Sequence, residues 1–199
     1  MTRHLESGRK KRDRARTEAD LLDAAERLFD RDGVLAGLNL NEVAAEAGVN
    51  RGQIYQMYGS RRSLLRAALA RGAERFRRER PGHWEGDFAS RRKVIFRLAL
   101  TEQTYLRFAA LLALDHDEEF QVFPEFEQTR AALERDKATG ALPADADGEA
   151  LHALTAAAYA GYSVLRETMS RDTGIPLAEL DRRVIAAYDK VVDGMVHGN

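Results

Sequence analysis

Two helix-start signatures lie eleven residues apart in the segment Asn39–Tyr58, with a glycine between them. Asn39 stands three residues before Glu42, and Asn50 three before Gln53. This is the capping-box spacing, in which a polar side chain takes an orphan N–H of the first helical turn and the later residue answers it. Gly48 supplies a residue free to adopt positive φ where a tight inter-helix turn needs one. Val43, Ala47, Val49 and Ile54 can point into a shared core, and Ala44 is small where a second helix must cross closely. Two short helices joined by so tight a turn, with these cores and caps, describe a helix-turn-helix. The bland alternative is two ordinary amphipathic helices separated by a glycine.

The rest of the chain has helical periodicity nearly throughout, and no segment alternates with period two. Leu21, Leu22, Ala25, Leu28 and Phe29 form one apolar face, with Gly33 expected to end that helix. The periodicity predicts helices near 17–32, 40–47, 51–57, 61–79, 88–100, 102–115, 124–139, 147–171 and 177–196. The stretch 88–115 reads equally as one long helix, because Thr101, Glu102, Gln103 and Thr104 interrupt its face without a breaker. Pro81 to Asp87 reads as a linker. The fold class is all-α: an N-terminal three-helix helix-turn-helix domain followed by a C-terminal helical domain. The expected divisions are a disordered basic arm over 1–16, a helix-turn-helix domain over 17–60 and a helical domain over 61–199.

Composition narrows the classes. The 199 residues are 44% hydrophobic and 32% charged, enough for a core and a solvated surface. The absence of cysteine removes disulfides, thiolate catalysis and cysteine-ligated zinc together. No apolar run approaches the ~18–20 residues of a membrane span, and the basic N-terminus lacks a signal-peptide core. A cytoplasmic protein with no membrane partner is expected. The net charge of −1 conceals an asymmetry: residues 1–80 hold 18 Lys/Arg against 12 Asp/Glu, and residues 81–199 hold 13 against 20. A basic front half suits a polyanion at one end only.

In a helix-turn-helix the second helix enters the major groove of DNA with its N-terminal residues near base edges. The exposed positions of that helix are Arg51, Gly52, Gln53, Gln56 and Met57, with Asn39 and Asn50 at the two helix starts. Arginine pairs bidentately with guanine and glutamine with adenine. A flexible arm carrying Arg9, Lys10, Lys11, Arg12, Arg14 and Arg16 can reach the minor groove or neutralise phosphates, or be a plain solvated terminus.

Over Thr17–Leu69 the chain resembles the tetracycline-repressor (TetR) family, most closely in Gly48-Val49-Asn50-Arg51-Gly52-Gln53-Ile54-Tyr55-Gln56-Met57-Tyr58-Gly59-Ser60-Arg61 and the Arg62-Ser63-Leu64-Leu65 that follows. The resemblance implies that Tyr55 meets a backbone phosphate through its hydroxyl. It likewise implies that Tyr58 anchors the recognition helix and that Arg61 replaces a phosphate-binding lysine. Gln53 stands where the family has threonine or serine, and Met57 where histidine is frequent. Those departures bear on the operator sequence and leave the docking mode intact.

The resemblance further implies a homodimer on a palindromic operator in double-stranded DNA, and a small-molecule effector that releases a repressor. The last helix carries Leu177, Leu180, Val184, Tyr188, Val191 and Met195 at coiled-coil-like spacing. Gly161 and Leu165 lie on the small-residue helix before it. Pairing of these two helices with a partner's copies is the expectation, and burial within one subunit the alternative. Phe96, Thr101, Gln103, Tyr105, Phe108, Phe123, Phe126, Tyr159 and Tyr162 are candidate ligand contacts, or simple core. With no cationic cluster in view, an apolar or amphipathic ligand is expected. A regulator whose rear domain senses a protein, or has no ligand, remains the alternative. Asp115-His116-Asp117-Glu118-Glu119 invites a metal reading, but consecutive residues rarely converge on one ion, so a solvated helix-end loop is expected. No metal or cofactor is expected. Without a nucleophile–base pair or a glycine-rich phosphate loop, an enzyme is not expected either.

Overall fold

The computed structural model describes residues 2–32 and 39–197, with side chains from Asp13 onward. Gly33, expected to end the first helix, lies outside the described residues. The described helices are α1 (Thr2–Asp32), α2 (Leu40–Glu46), α3 (Arg51–Tyr58), α4 (Arg61–Glu79), α5 (Phe88–Thr101), α6 (Gln103–Leu114), α7 (Phe126–Ala138), α8 (Gly148–Thr173) and α9 (Leu177–His197), with a 3₁₀ turn at His83–Glu85. The fold is all-α. No helix among the described residues is long and apolar enough to cross a membrane.

The chain divides into two compact units, Met1–Glu74 with Arg107–Phe120, and Arg75–Leu106 with Gln121–Asn199. In the first unit α1 buries Leu21, Leu22, Ala24, Ala25, Leu28 and Phe29. Val43 and Ala44 of α2, Ile54 of α3 and Leu64, Leu65 and Ala68 of α4 complete that core. Thus α4, expected to belong to the rear domain from residue 61, begins as part of the front one. Phe108 of α6 meets Phe29 edge-on with centroids 4.5 Å apart, a geometry that aligns ring edge with ring face. Helix α1 starts at Thr2, not near Thr17. The stretch expected as a disordered arm is rich in lysine and arginine, straight-chain residues that lose little freedom in a helix.

In the second unit α5, α8 and α9 pack around Phe88, Phe96, Leu133, Leu142, Tyr162, Tyr188 and Val192. Residues 88–115 resolve as two helices. Glu102, at φ −107° and ψ 41°, leaves helical geometry, while Thr101 Oγ1 donates to the Leu98 carbonyl and Gln103 Nε2 to that of Leu100, both at 3.0 Å. The polar interruption therefore satisfies a helix end. The supposed linker 81–87 is also pinned: Arg135 donates to the carbonyls of Trp84 (2.6 Å) and Gly86 (2.8 Å).

Candidate nucleic-acid interface

The front unit builds a helix-turn-helix from local chemistry upward. Asn39 Oδ1 accepts from the Asn41 N–H at 3.0 Å and starts α2. The reciprocal half expected there differs, because Glu42 Oε1 accepts from Asn39 Nδ2 (3.1 Å), a bond between side chains. Gly48, at φ +68°, makes the turn, and the Val49 N–H returns to the Ala44 carbonyl at 2.9 Å. At Asn50 the capping box is complete: Asn50 Oδ1 accepts from the Gln53 N–H, and Gln53 Oε1 accepts from the Asn50 N–H, both at 3.0 Å. A Cβ at Gly52 would stand 3.1 Å from Asn50 Oδ1, so a larger residue there would crowd the cap. Ile54, fully buried, fixes which face of α3 turns inward. Arg27 of α1 reaches Glu46 of α2 at 3.1 Å and ties the outer ends of those helices.

The face left outward carries most of the expected DNA-reading residues. Asn39, Asn50, Arg51, Gly52, Tyr55, Gln56 and Arg61 are exposed, and Gln53, Met57 and Tyr58 are half-buried. Arg51 Nη2 donates to the Tyr55 hydroxyl at 2.8 Å, with its guanidinium 5.1 Å from the ring centroid. Tyr55 oxygen is thereby an acceptor here, and its own proton is available to a phosphate oxygen. The Tyr58 hydroxyl is enclosed, with no hydrogen-bond partner among the described residues. Burial pushes its pKa up to about 12, with Glu18 adding to the effect and Arg71 opposing it. That ring is turned toward α1 and α4, away from the recognition face. Gln53 is at once a capping partner and a candidate base reader. With its oxygen engaged by the cap, the groups it presents outward are the Nε2 donors.

The acidic run after α6 is a clamp on α4. Asp117, with its side chain 3% exposed, accepts twice from Arg66 at 2.7 and 2.8 Å. Glu119 adds a pair with Arg66 at 3.0 Å, and Asp115 a pair with Arg62 at 2.5 Å. Among the described residues no group of three acidic or histidine side chains could hold a metal ion. Sequence reasoning saw the acidic run but not its partners, which lie about fifty positions away.

The candidate ligand contacts are not one cluster. Phe108 belongs to the front core, whereas Phe96 stacks between Tyr188 (4.1 Å) and Tyr162 (5.9 Å) in the second unit. Phe123 and Phe126 stand 5.9 Å apart, and Tyr105 lies under the Arg75 guanidinium at 5.2 Å. Thr101 is exposed and Gln103 half-buried, both engaged at the helix break. Tyr159 is packed against the second core. A surface depression of about 300 Å³ is lined by Arg130, Leu133, Glu134, Lys137, Asp147, Gly148 and Glu149, none of them a candidate ligand contact.

The candidate dimer stripe divides in the same way. Tyr188 is buried in the core, and Leu180 and Val184 pack against it. Those three therefore serve their own subunit's core. Leu165 and Val191 remain 48% and 55% exposed, Leu177 and Met195 are half-buried, and nothing would obstruct a Cβ at Gly161.

Residues 21–68 match the family model for bacterial regulatory proteins of the tetR family. The chain is similar in fold to a crystal structure described as a TetR-family transcriptional regulator from Rhodococcus sp., at 22% identity and TM-score 0.58, covering 89% of this chain and 99% of that one. It is also similar to a structure of a gamma-butyrolactone receptor described as ArpA-like, at 22% identity and TM-score 0.53, covering 94% and 99%. No curated protein sequence matches the chain. The helix-turn-helix segment thus matches that of bacterial regulatory proteins of the tetR family, and the helical fold around it is similar to that of the two solved structures.

Proposed function

We propose that the chain is a cytoplasmic homodimeric repressor that reads a palindromic operator with α3 and is released when a small molecule binds the second unit. The observation that carries the DNA-reading part is the outer face of α3. A complete capping box and a buried Ile54 fix that helix, leaving Arg51, Gln53, Tyr55 and Gln56 available to a groove. Tyr55 and Arg61 contact phosphates in this reading, while Arg51, Gln53 and Gln56 contact base edges. Met57, half-buried at the edge of that face, gives an apolar contact such as a thymine methyl. Selection from random duplexes, followed by anisotropy at ~150 mM salt, tests it. An enriched palindrome bound well above scrambled DNA is expected; equal binding of both overturns the reading.

The dimer rests on an apolar surface left over after the core is built. Leu154, Val164, Leu165 and Met169 of α8 and Val191 of α9 are large apolar residues with more than a third of their surface exposed. Exposed large apolar residues gathered on two neighbouring helices suit an association surface. Val191→Glu together with Leu165→Glu should give a monomer in sedimentation with an unchanged helical spectrum. A dimer that persists in that variant removes these helices from the interface. A ligand releases the repressor only by binding one conformation better than the other.

A further inference from the structure

Helix α5 carries four cations, and three of them have carboxylate partners. Arg91, 2% exposed, pairs with Asp136 at 2.8 Å and donates to the Gly86 carbonyl at 2.5 Å. Lys93 pairs with Asp193 at 2.5 Å, and Arg97 with Asp189 at 2.5 Å. Arg92 is different. It is 3% exposed, and among the described residues no carboxylate lies within ion-pair distance. Its Nη1 meets His152 Nδ1 at 2.9 Å, and its guanidinium stands 5.9 Å from the Phe88 ring. Its Nε is enclosed, with no hydrogen-bond partner among the described residues.

A guanidinium stays protonated, so this is a buried positive charge answered only by neutral groups. Burial, Arg92 and Arg91 together lower the His152 pKa to about 4. The imidazole is therefore neutral near pH 7. With Nδ1 accepting from Arg92, its proton sits on Nε2, a donor. The Phe123 and Phe126 rings cover His152, with centroids at 4.7 and 6.2 Å. Tyr159, the neighbouring Arg91 and Tyr188 also interact electrostatically with Arg92, as does His83, so a second cation adds to the positive field there. One unit thus holds a buried cation, a second donor beside it and two aromatic rings against that donor, groups that an anion with an apolar body would engage.

We propose that Arg92 is the anion-binding residue of a ligand site in the second unit, taking the head group of an amphipathic monocarboxylate whose apolar body lies against Phe123 and Phe126. The planar guanidinium matches a carboxylate's two oxygens, and the ligand's charge supplies the counter-ion that the fold omits. This rests on reading the second unit as the ligand-binding one, and it narrows the expected apolar or amphipathic ligand to an anionic amphipathic one.

Calorimetric titration of the full-length protein with decanoate and 2-naphthoate, against decanol and 2-naphthalenemethanol, tests it. The acids should bind about tenfold or more tighter than the matched alcohols. Arg92→Met should abolish that discrimination while leaving the ligand-free melting temperature unchanged or raised, since it removes an uncompensated buried charge. Arg92→Lys keeps a charge without the fork, and should retain part of the discrimination. Equal binding of acid and alcohol, binding of neither, or discrimination surviving in Arg92→Met overturns the proposal. Release of a selected duplex by the same acids is a separate readout. Acids that bind through Arg92 without releasing DNA would leave this site standing and refute ligand-released repression.

Discussion

Gln53→Glu separates the two things that Gln53 is asked to do. In the fold, its side-chain oxygen accepts from the Asn50 N–H at 3.0 Å. A carboxylate keeps that acceptor, and at the third position of a helix it also gains from the macrodipole, by about 0.3–1 kcal/mol. Stability should therefore be unchanged or slightly raised. On DNA the same substitution removes the Nε2 donors and sets a negative charge among phosphates. Loss of one base contact is worth about 1–3 kcal/mol, a fall of roughly 5- to 150-fold in affinity. Gln53→Ala is the matched control, losing both the contact and the cap, the latter at about 1 kcal/mol. Urea unfolding monitored by circular dichroism measures the first quantity, and anisotropy on a selected duplex the second. A Gln53→Glu protein destabilised by more than about 1 kcal/mol would mean the capping bond is not what Gln53 contributes. One that binds DNA as tightly as the parent would remove Gln53 from the recognition surface.

Two further outcomes follow from the charges of the fold. Asp117→Ala should cost about 2 kcal/mol in urea unfolding, because it strips a two-bond acceptor from a buried position and leaves Arg66 to the exposed Glu119. Asp115→Ala breaks a pair in which both side chains are about half exposed and should cost clearly less; equal losses would refute the burial argument. His83 and His152 both have pKa values lowered to about 4. Burial is the first cause in each, with Arg92 and Arg91 adding to it and Arg80 acting on His83. Below pH 6.5 the unfolded chain then binds protons that the folded one refuses, so stability falls as pH drops from 6.5 toward 4. Allowing for solvent contact, the loss by pH 4.5 is about 2 kcal/mol. Carboxylates such as Glu179, lowered to about 2 by Arg182 and Arg183, lose their contribution only below that window. A stability that is flat between pH 7 and 4.5 would show that neither imidazole is held neutral.

What the chain reveals before folding is what is local. The cap at Asn50, the turn at Gly48 and the inward Ile54 each depend on residues within one or two turns, and all were readable from spacing. The extent of α1 is not legible from composition, because low hydrophobicity suits disorder and a long helix rich in lysine and arginine alike. Glu42 bonds the Asn39 side chain and not its backbone N–H, a choice between two donors of the same residue that spacing leaves open. Arg92 was legible only in part. Phe88, Arg92 and Phe96 recur at four-residue spacing, which sets the arginine within an apolar stripe. Its isolation depends on His152, sixty positions away, and on which carboxylates its neighbours had already taken.

The last helix makes the same point about faces. At about 100° per residue, Tyr188 and Val192 share one side of α9, while Val191, with Ala187 near it, lies about a quarter turn or less away. Both sides are apolar, so the periodicity alone reads as one broad stripe fit for either core or partner. Packing decides. Phe96 of α5 comes within 4.1 Å of the Tyr188 ring and claims that side for the subunit's own core. Lys93 and Arg97 then bind Asp193 and Asp189, fixing the helix's rotation against α5. Rotation so fixed leaves Val191 outward with no choice of its own. The surface proposed for dimerisation is thus a consequence of ion pairs made on the opposite flank of the same helix. Exchanging the charges of Lys93 and Asp193 should keep that rotation and the dimer, whereas Lys93→Glu alone should weaken both.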